Sequence, residues 1–224
     1  IIGKGIPEVE GTNAAHGEAG VPFQNSARKS LGLPDELFYV APETKEFFTN
    51  RKAALKTEYD AWQMTFASWK AANPVLAEEL ENAKGKKVPS VNDLFAGIPT
   101  YDAEKNVATR QSGSEILQSI AKMVPQYVSG SADLHGSNKN YIQDGNNFGN
   151  PNIPGKSFNG RNFYYGIREH AMGTMLNGMA YYGLNIPSGS TFLVFSDYMR
   201  AAIRVAALSE LQTSYILTHD SIGV

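Results

Sequence analysis

Cysteine is absent from all 224 residues, so disulfides, thiolate catalysis and cysteine-bound metals are excluded. No apolar run approaches the ~20 residues needed to cross a bilayer. The opening Ile1-Ile-Gly-Lys-Gly also lacks the basic-then-apolar order of a secretory leader. Neither sign of charge dominates: 20 Lys and Arg stand against 22 Asp and Glu, a formal net charge of −2. So balanced a chain has no electrostatic reason to seek nucleic acid or a membrane surface. The expectation is a cytoplasmic protein. What is present is a chain 42% hydrophobic and 19% charged, long enough for one large or two small cores. It begins on Ile rather than Met, as a portion of a longer protein would.

Ile1-Ile2 before Gly3-Lys4-Gly5 reads as a strand entering a loop, and that loop carries His16. Leu37 to Val40 suits a short strand or a turn, and Pro42 fits the first position of a helix. Between Lys52 and Ala72, Leu55, Tyr59, Trp62, Phe66 and Trp69 recur at steps of four, three, four and three. That spacing predicts a long helix whose stripe is a core or an interdomain seam, not a cofactor site. Asn73-Pro74 ends this helix and starts another, which closes near Gly85. The region around Lys84 to Ser90 and Ile98 to Asp102 has little periodicity and reads as a connection, its lysines as solvated surface. Asp144 to Gly160, rich in Asn and Gly, predicts a mobile loop.

From Thr109 onward, helices and strands alternate. Ser112 to Met123, Glu169 to Tyr182 and Tyr198 to Leu208 read as helices. Gln126 to Ser129, Asn162 to Ile167, Thr191 to Phe195 and Thr213 to Leu217 read as strands. This order predicts an α/β fold, a parallel sheet with helices on both faces, preceded by a mostly helical connecting segment. Ligands of such sheets bind at the carboxyl ends of the strands. Ser131-Ala-Asp133, Glu169, Phe195-Ser-Asp-Tyr198 and His219 all fall at or just after such ends.

Each candidate has a bland reading beside the chemical one. Glu169 opens a helix, where a carboxylate favours the helix dipole, and it has Arg168 and His170 beside it as ion-pair partners. His16 and His219 suit hydrogen-bonded loop positions, and no acidic partner at ligand spacing makes them a zinc site. Phe192, Phe195 and Tyr198 would ordinarily be core. Their step of three departs from strand alternation and places Phe195 and Tyr198 at a strand-to-helix turn, where aromatics wall a planar ring. The chain has no nucleophile elbow, Walker loop or dinucleotide fingerprint.

Taken jointly, Gly166-Ile-Arg-Glu-His-Ala-Met172, Ser131-Ala-Asp-Leu134, Thr191-Phe-Leu-Val-Phe195 and Thr218-His-Asp-Ser-Ile-Gly223 resemble the transketolase family in order and separation. His16-Gly17 and Ala108-Thr-Arg110 also stand where that family has them. The resemblance implies a thiamin-diphosphate-binding fold and transfer of a two-carbon ketol unit between sugar phosphates. Glu169 would hydrogen-bond the cofactor's aminopyrimidine ring, with Phe192, Phe195 and Tyr198 as its pocket and Asp133 near the thiazolium. Arg110 and Ser137 resemble the pair that holds a sugar's distal phosphate. His16 and His219 match histidines of the substrate channel. After Ser131-Ala-Asp-Leu134 the family has a small residue and then Pro. Here His135-Gly136 stands instead, which is expected to loosen the turn presenting Ser137.

By the same resemblance, 1–73 is the C-terminal part of a diphosphate-binding domain, 74–104 a connection, and 105–224 the N-terminal part of a pyrimidine-binding domain. The ligands of the expected Mg2+ or Ca2+ ion fall outside these residues, and the chain alone is expected to be inactive. The intact parent is expected to be a homodimer. Two alternatives stand beside this reading. One is a dihydroxyacetone synthase-like relative; the other is a non-catalytic folded fragment serving as a binding or dimerisation module.

Overall fold

The computed structural model describes residues 1–17, 20–104 and 106–220, which divide into two compact units, Ile1–Trp69 and Lys70–Val224. In the first unit the expected strand at Ile1-Ile2 is replaced by consecutive turns, with the Gly11 amide bonded to the Ile2 carbonyl at 2.9 Å. Gly3, Gly5 and Gly11 adopt positive φ, which bends the backbone away from any extended partner. Leu37 and Phe38 form a turn. After α1 (Gln24–Ser30), α2 runs over Pro42–Ala72, starting on the proline and ten residues before the periodic stripe begins to show. No residue of α2 is buried, so the stripe is not a core. Its rings shed surface against one another instead: Trp62 stacks on Phe66 at 5.0 Å and Phe66 on Trp69 at 5.8 Å.

The second unit opens with α3 (Pro74–Lys84) and α4 (Val91–Gly97). The latter lies within the stretch read as a connection. Its start is local: the Asp93 amide donates to the Ser90 hydroxyl at 3.2 Å, an N-cap that needs no long periodic pattern. Then come α5 (Thr109–Met123), β1 (Tyr127–Ser131), α6 (His135–Asn138), β2 (Asn147–Phe148), β3 (Lys156–Ser157) and β4 (Asn162–Tyr164). The chain continues through α7 (Glu169–Tyr182), β5 (Ile186–Phe192), a 3₁₀ helix over Leu193–Met199, α8 (Arg200–Leu208) and β6 (Ser214–Thr218). The six strands pair in parallel in the order β3-β2-β4-β1-β5-β6. No helix of the described residues is long and apolar enough to cross a membrane.

Two sequence expectations need correcting here. The apolar run Thr191 to Phe195 is mostly 3₁₀ helix, and the strand before it is Ile-Pro-Ser-Gly-Ser-Thr-Phe. β1 and β5, both flanked by strands on each side, present buried Ser129, Ser131, Ser188 and Ser190 rather than aliphatic side chains. Their hydroxyls are satisfied, Ser188 donating to the Val128 carbonyl at 3.1 Å, Ser190 to that of Gly130 at 3.3 Å and Ser129 to that of Asn140 at 2.7 Å. Small residues are needed because the layers above approach closely. A Cβ on Gly189 would stand 2.6 Å from Leu176 of α7, and one on Gly130 would stand 2.2 Å from the Tyr165 ring. Apolar packing then gathers in two clusters, one around Leu117, Ala121 and Tyr127, the other around Tyr165, Met172, Leu176 and Met199.

The Asn/Gly-rich segment is likewise no free loop, since it adds β2 and β3 to the sheet. Buried Asn162 pins it from beneath, exchanging bonds with the Ile142 amide and carbonyl at 2.8 Å and donating to the Asn146 carbonyl at 3.0 Å. A Cβ on Gly160 would lie 2.1 Å from the Asn147 backbone, so glycine there permits the close pass. Composition suggested mobility, but side-chain amides do the work that ladder bonds do elsewhere.

Tyr165 buries its hydroxyl without a partner among the described residues, and burial pushes the phenol pKa up. Tyr165→Phe should therefore raise the unfolding free energy by about 1 kcal/mol, the penalty of an unsatisfied buried group. Denaturant unfolding checks this; a loss of stability of that size would mean that the hydroxyl is bonded.

Candidate active site

β1 leads to β4 on one side of itself, whereas β5 and β6 lie on the other. The carboxyl ends of β1 and β5 therefore flank the crevice at which such sheets bind ligands. Register aligns the ends: Ser131 pairs with Tyr164 and Ser190, and Phe192 with Thr218. The segments carrying Asp133, Phe195 and His219 leave the sheet at that edge after β1, β5 and β6, and the one carrying Glu169 follows β4.

Glu169 is the first residue of α7 and is only 7% exposed. Among the described residues its carboxylate has no hydrogen bond or ion pair. Arg168 turns back to the Tyr165 carbonyl at 3.3 Å, and His170 is exposed, so neither neighbour serves as its partner. Helix-dipole stabilisation alone would be met as well by an exposed residue. The burial is what separates Glu169 from an ordinary helix-start acid.

α7 packs against β5, which Phe192 closes, and against the 3₁₀ helix that carries Phe195 and Tyr198. Three residues per turn place these two on one side, which accounts for their step of three. Phe192 and Phe195 stack at 5.9 Å and 21°, and Phe195 meets Tyr198 at 6.2 Å. His219 stands edge-on to Phe192 at 5.0 Å. Asp220 accepts the Val194 amide at 3.0 Å, tying the aromatic turn to the loop after β6.

Arg110, in the first turn of α5, reaches α6 and the loop after β6. Its Nη1 donates to the Ser137 carbonyl at 3.3 Å and lies 3.2 Å from His219 Nε2. Since guanidinium only donates, that imidazole nitrogen accepts, and the ring proton belongs on Nδ1. Arg110, Ser137 and His219 thus come together, Ser137 through its backbone. Arg110 and His219 line a cavity of about 730 Å³ whose walls include Leu117, Ile120, Asn138 and Ile216. Asp133 is exposed in the turn after β1, in left-handed backbone at φ 66°. His16 belongs to the first unit, where it follows a 3₁₀ turn and is exposed.

Sequence reasoning missed Asn138, Asn140 and Thr218. Buried Asn138 donates to the Thr218 hydroxyl at 2.5 Å, and the Ser131 hydroxyl lies 3.2 Å from its Oδ1. Asn140 donates to Ser129 Oγ at 3.0 Å and to the Gly130 carbonyl at 2.7 Å. Ser-Asn-Lys-Asn has the composition of any polar loop, and only the fold reveals that its two asparagines point inward.

A family model described as the transketolase pyrimidine-binding domain matches residues 105–224, more than half of the chain. The chain belongs to the transketolase family. A second model, the transketolase thiamine-diphosphate-binding domain, matches residues 1–89. A transketolase of Dictyostelium discoideum is 55% identical over the whole chain, and one of Geobacillus stearothermophilus 43%, with 33% of each relative covered. The chain thus spans about a third of the length of the curated transketolases it matches. Among solved structures, a Pichia stipitis transketolase in complex with sedoheptulose-7-phosphate aligns with TM-score 0.77 and 33% identity, covering 90% of this chain and 30% of its own. A Leishmania mexicana transketolase aligns with TM-score 0.76 and 30% identity, covering 90% of this chain and 29% of its own.

Against that family's pattern, His135-Gly136 was expected to loosen the Ser137 turn. The structure shows the opposite. Half-buried His135 lies 3.1 Å from Asn140 Oδ1 through Nδ1 and 3.1 Å from the Phe163 carbonyl through Nε2, with Tyr164 packed edge-on at 4.7 Å. The turn is anchored by the imidazole. Burial lowers the His135 pKa below its ordinary 6.5, outweighing the two polar contacts that raise it. The unfolded chain therefore takes up this proton first as pH falls. His135's contribution to stability should be complete above about pH 6.5 and shrink below it. Thermal unfolding at pH 7.5 and 5.5 checks the sign: His135→Gln should lose less stability on acidification than the unaltered chain.

Proposed function

We propose that the intact protein is a transketolase, moving a two-carbon ketol unit from a ketose phosphate to an aldose phosphate in the pentose phosphate pathway. It would use thiamin diphosphate with a divalent metal ion, Mg2+ or Ca2+, and work as a cytoplasmic homodimer. One observation carries the reading: Glu169, a buried acid, opens a helix at the carboxyl edge of a parallel sheet, and that helix packs against the 3₁₀ helix carrying Phe195 and Tyr198. The donor set fits an aminopyrimidine ring, since Glu169 offers a carboxyl group for a ring nitrogen and Phe192, Phe195 and Tyr198 offer faces for stacking. When bound, thiamin diphosphate supplies the carbanion chemistry of ketol transfer.

The chain's own residues then have distinct tasks. Glu169 would hydrogen-bond the pyrimidine nitrogen and so polarise the ring. Asp133 places a negative charge on the side where the cofactor is cationic. Arg110 supplies a planar fork to the substrate's distal phosphate, and Ser137 a further donor. His219, with Nε2 turned to Arg110, and His16 serve substrate hydroxyls. That Arg110 already touches Ser137 and His219 supports a single phosphate-end cluster.

In the full-length protein, Glu169→Ala should lower turnover by about 100- to 10,000-fold, the range of a general acid–base group. Cofactor affinity should fall far less. Exchange of the cofactor's thiazolium C2 proton, followed by NMR after rapid quenching, should slow with it. Near-normal exchange would reduce Glu169 to a helix-start residue. Arg110→Ala should cost phosphorylated donors about 1.5–3 kcal/mol in kcat/KM, as for a hydrogen bond to a charged group. Equal losses on unphosphorylated donors would remove Arg110 from the phosphate end.

A further inference from the structure

Arg110 and Ser137 belong to α5 and α6, while His219 belongs to the loop after β6. Nothing in the strand ladder joins α6 to β6, because β5 lies between β1 and β6. The one side-chain link between them among the described residues is the Asn138 amide, which spans that gap to Thr218 Oγ1 at 2.5 Å. Asn138 is 2% exposed and is itself fixed, because its carbonyl oxygen faces the Ser131 hydroxyl at 3.2 Å. That hydroxyl in turn receives the Leu134 amide at 2.9 Å, so the strap is anchored at the end of β1. Its two ends are the immediate neighbours of Ser137 and His219.

We propose that Asn138 is a positioning residue, and that its bond to Thr218 sets the spacing between the Arg110–Ser137 pair and His219. A buried amide suits the task because both of its ends are committed. Oδ1 is turned to the β1 hydroxyl, which leaves Nδ2 a single direction toward β6. With the strap in place, His219 is held where Arg110 can donate to Nε2. Without it, the loop after β6 stays tied to the aromatic turn through Asp220 and Phe192 but loses its link to α6, and the Arg110–His219 contact is the first to be lost. Asn138 touches neither substrate nor cofactor in this role; it acts through Thr218 and His219. The spacing claim stands on this chain alone, while its bearing on donor binding rests on the transketolase reading.

Thr218→Val removes the acceptor and keeps the shape at the end of a strand. In the chain labelled with ¹⁵N-histidine, long-range ¹H–¹⁵N spectra read the ring nitrogens directly. The unaltered chain should show His219 as one tautomer, protonated on Nδ1. Thr218→Val and Asn138→Asp should each return it to the mixed tautomers of a solvated imidazole, and the double variant should add nothing further. Thr218→Ser, which keeps the hydroxyl, should retain the single tautomer. His135, held by Asn140 and Phe163, should not move. An unchanged His219 in Thr218→Val overturns the proposal, whether or not the buried Asn138→Asp change is tolerated. So does a His135 signal that shifts alongside that of His219. In the full-length enzyme, Thr218→Val should raise KM for a phosphorylated donor about two- to tenfold, the worth of one hydrogen bond, with kcat unchanged. A tautomer change without any KM effect would uphold the strap and count against the phosphate-end reading of Arg110.

Discussion

Five consecutive residue pairs, Tyr127 with Ile186 through Ser131 with Ser190, join β1 to β5 in parallel, and almost everything else in the second unit hangs from that ladder. It fixes the crevice between the two carboxyl ends, and it can form only because the inner residues are Ser and Gly. A Cβ on Gly130 or Gly189 would drive Tyr165 or Leu176 away and lift the layer that carries Glu169. Close packing and the buried acid are consequences of one choice of small side chains.

Such a core is more polar than an aliphatic one, and the polarity is organised. Ser129, Ser131, Asn138, Asn140 and Asn162 bond to carbonyls, amides and one another, so their burial leaves few unsatisfied atoms. Directional bonds orient loops in a way that apolar contacts do not. The turn after β1 illustrates this, since Asn140, Asn138 and His135 each hold it from a different side.

The outline of this architecture is legible from residues. The start of α7 at Glu169 and its stop at Gly183 follow from an apolar run closed by a glycine in left-handed backbone, and α5, β1 and β6 lie within a few residues of where periodicity puts them. Legibility fails where a side-chain amide or a serine replaces the usual signal. β5 hides in Ser-Gly-Ser, β2 and β3 hide in an Asn-rich loop, and α4 is announced by a cap rather than by a stripe. At the candidate site, the residues with conspicuous chemistry could be found by type and position. The asparagines that hold them could not, because their importance comes from burial, which polar composition conceals. The long stripe of α2 fails in the other direction: its periodicity gave the helix but not its exposure.

That stripe holds both tryptophans of the protein, Trp62 and Trp69, with Phe66 stacked between them. The second unit has none. Intrinsic indole fluorescence is consequently a private signal of α2, sensitive to whatever covers or uncovers that helix. Changes among Phe192, Phe195, Tyr198 and His219 reach an optical instrument only through tyrosine or an introduced label, so the protein comes with one of its two units already marked and the other dark.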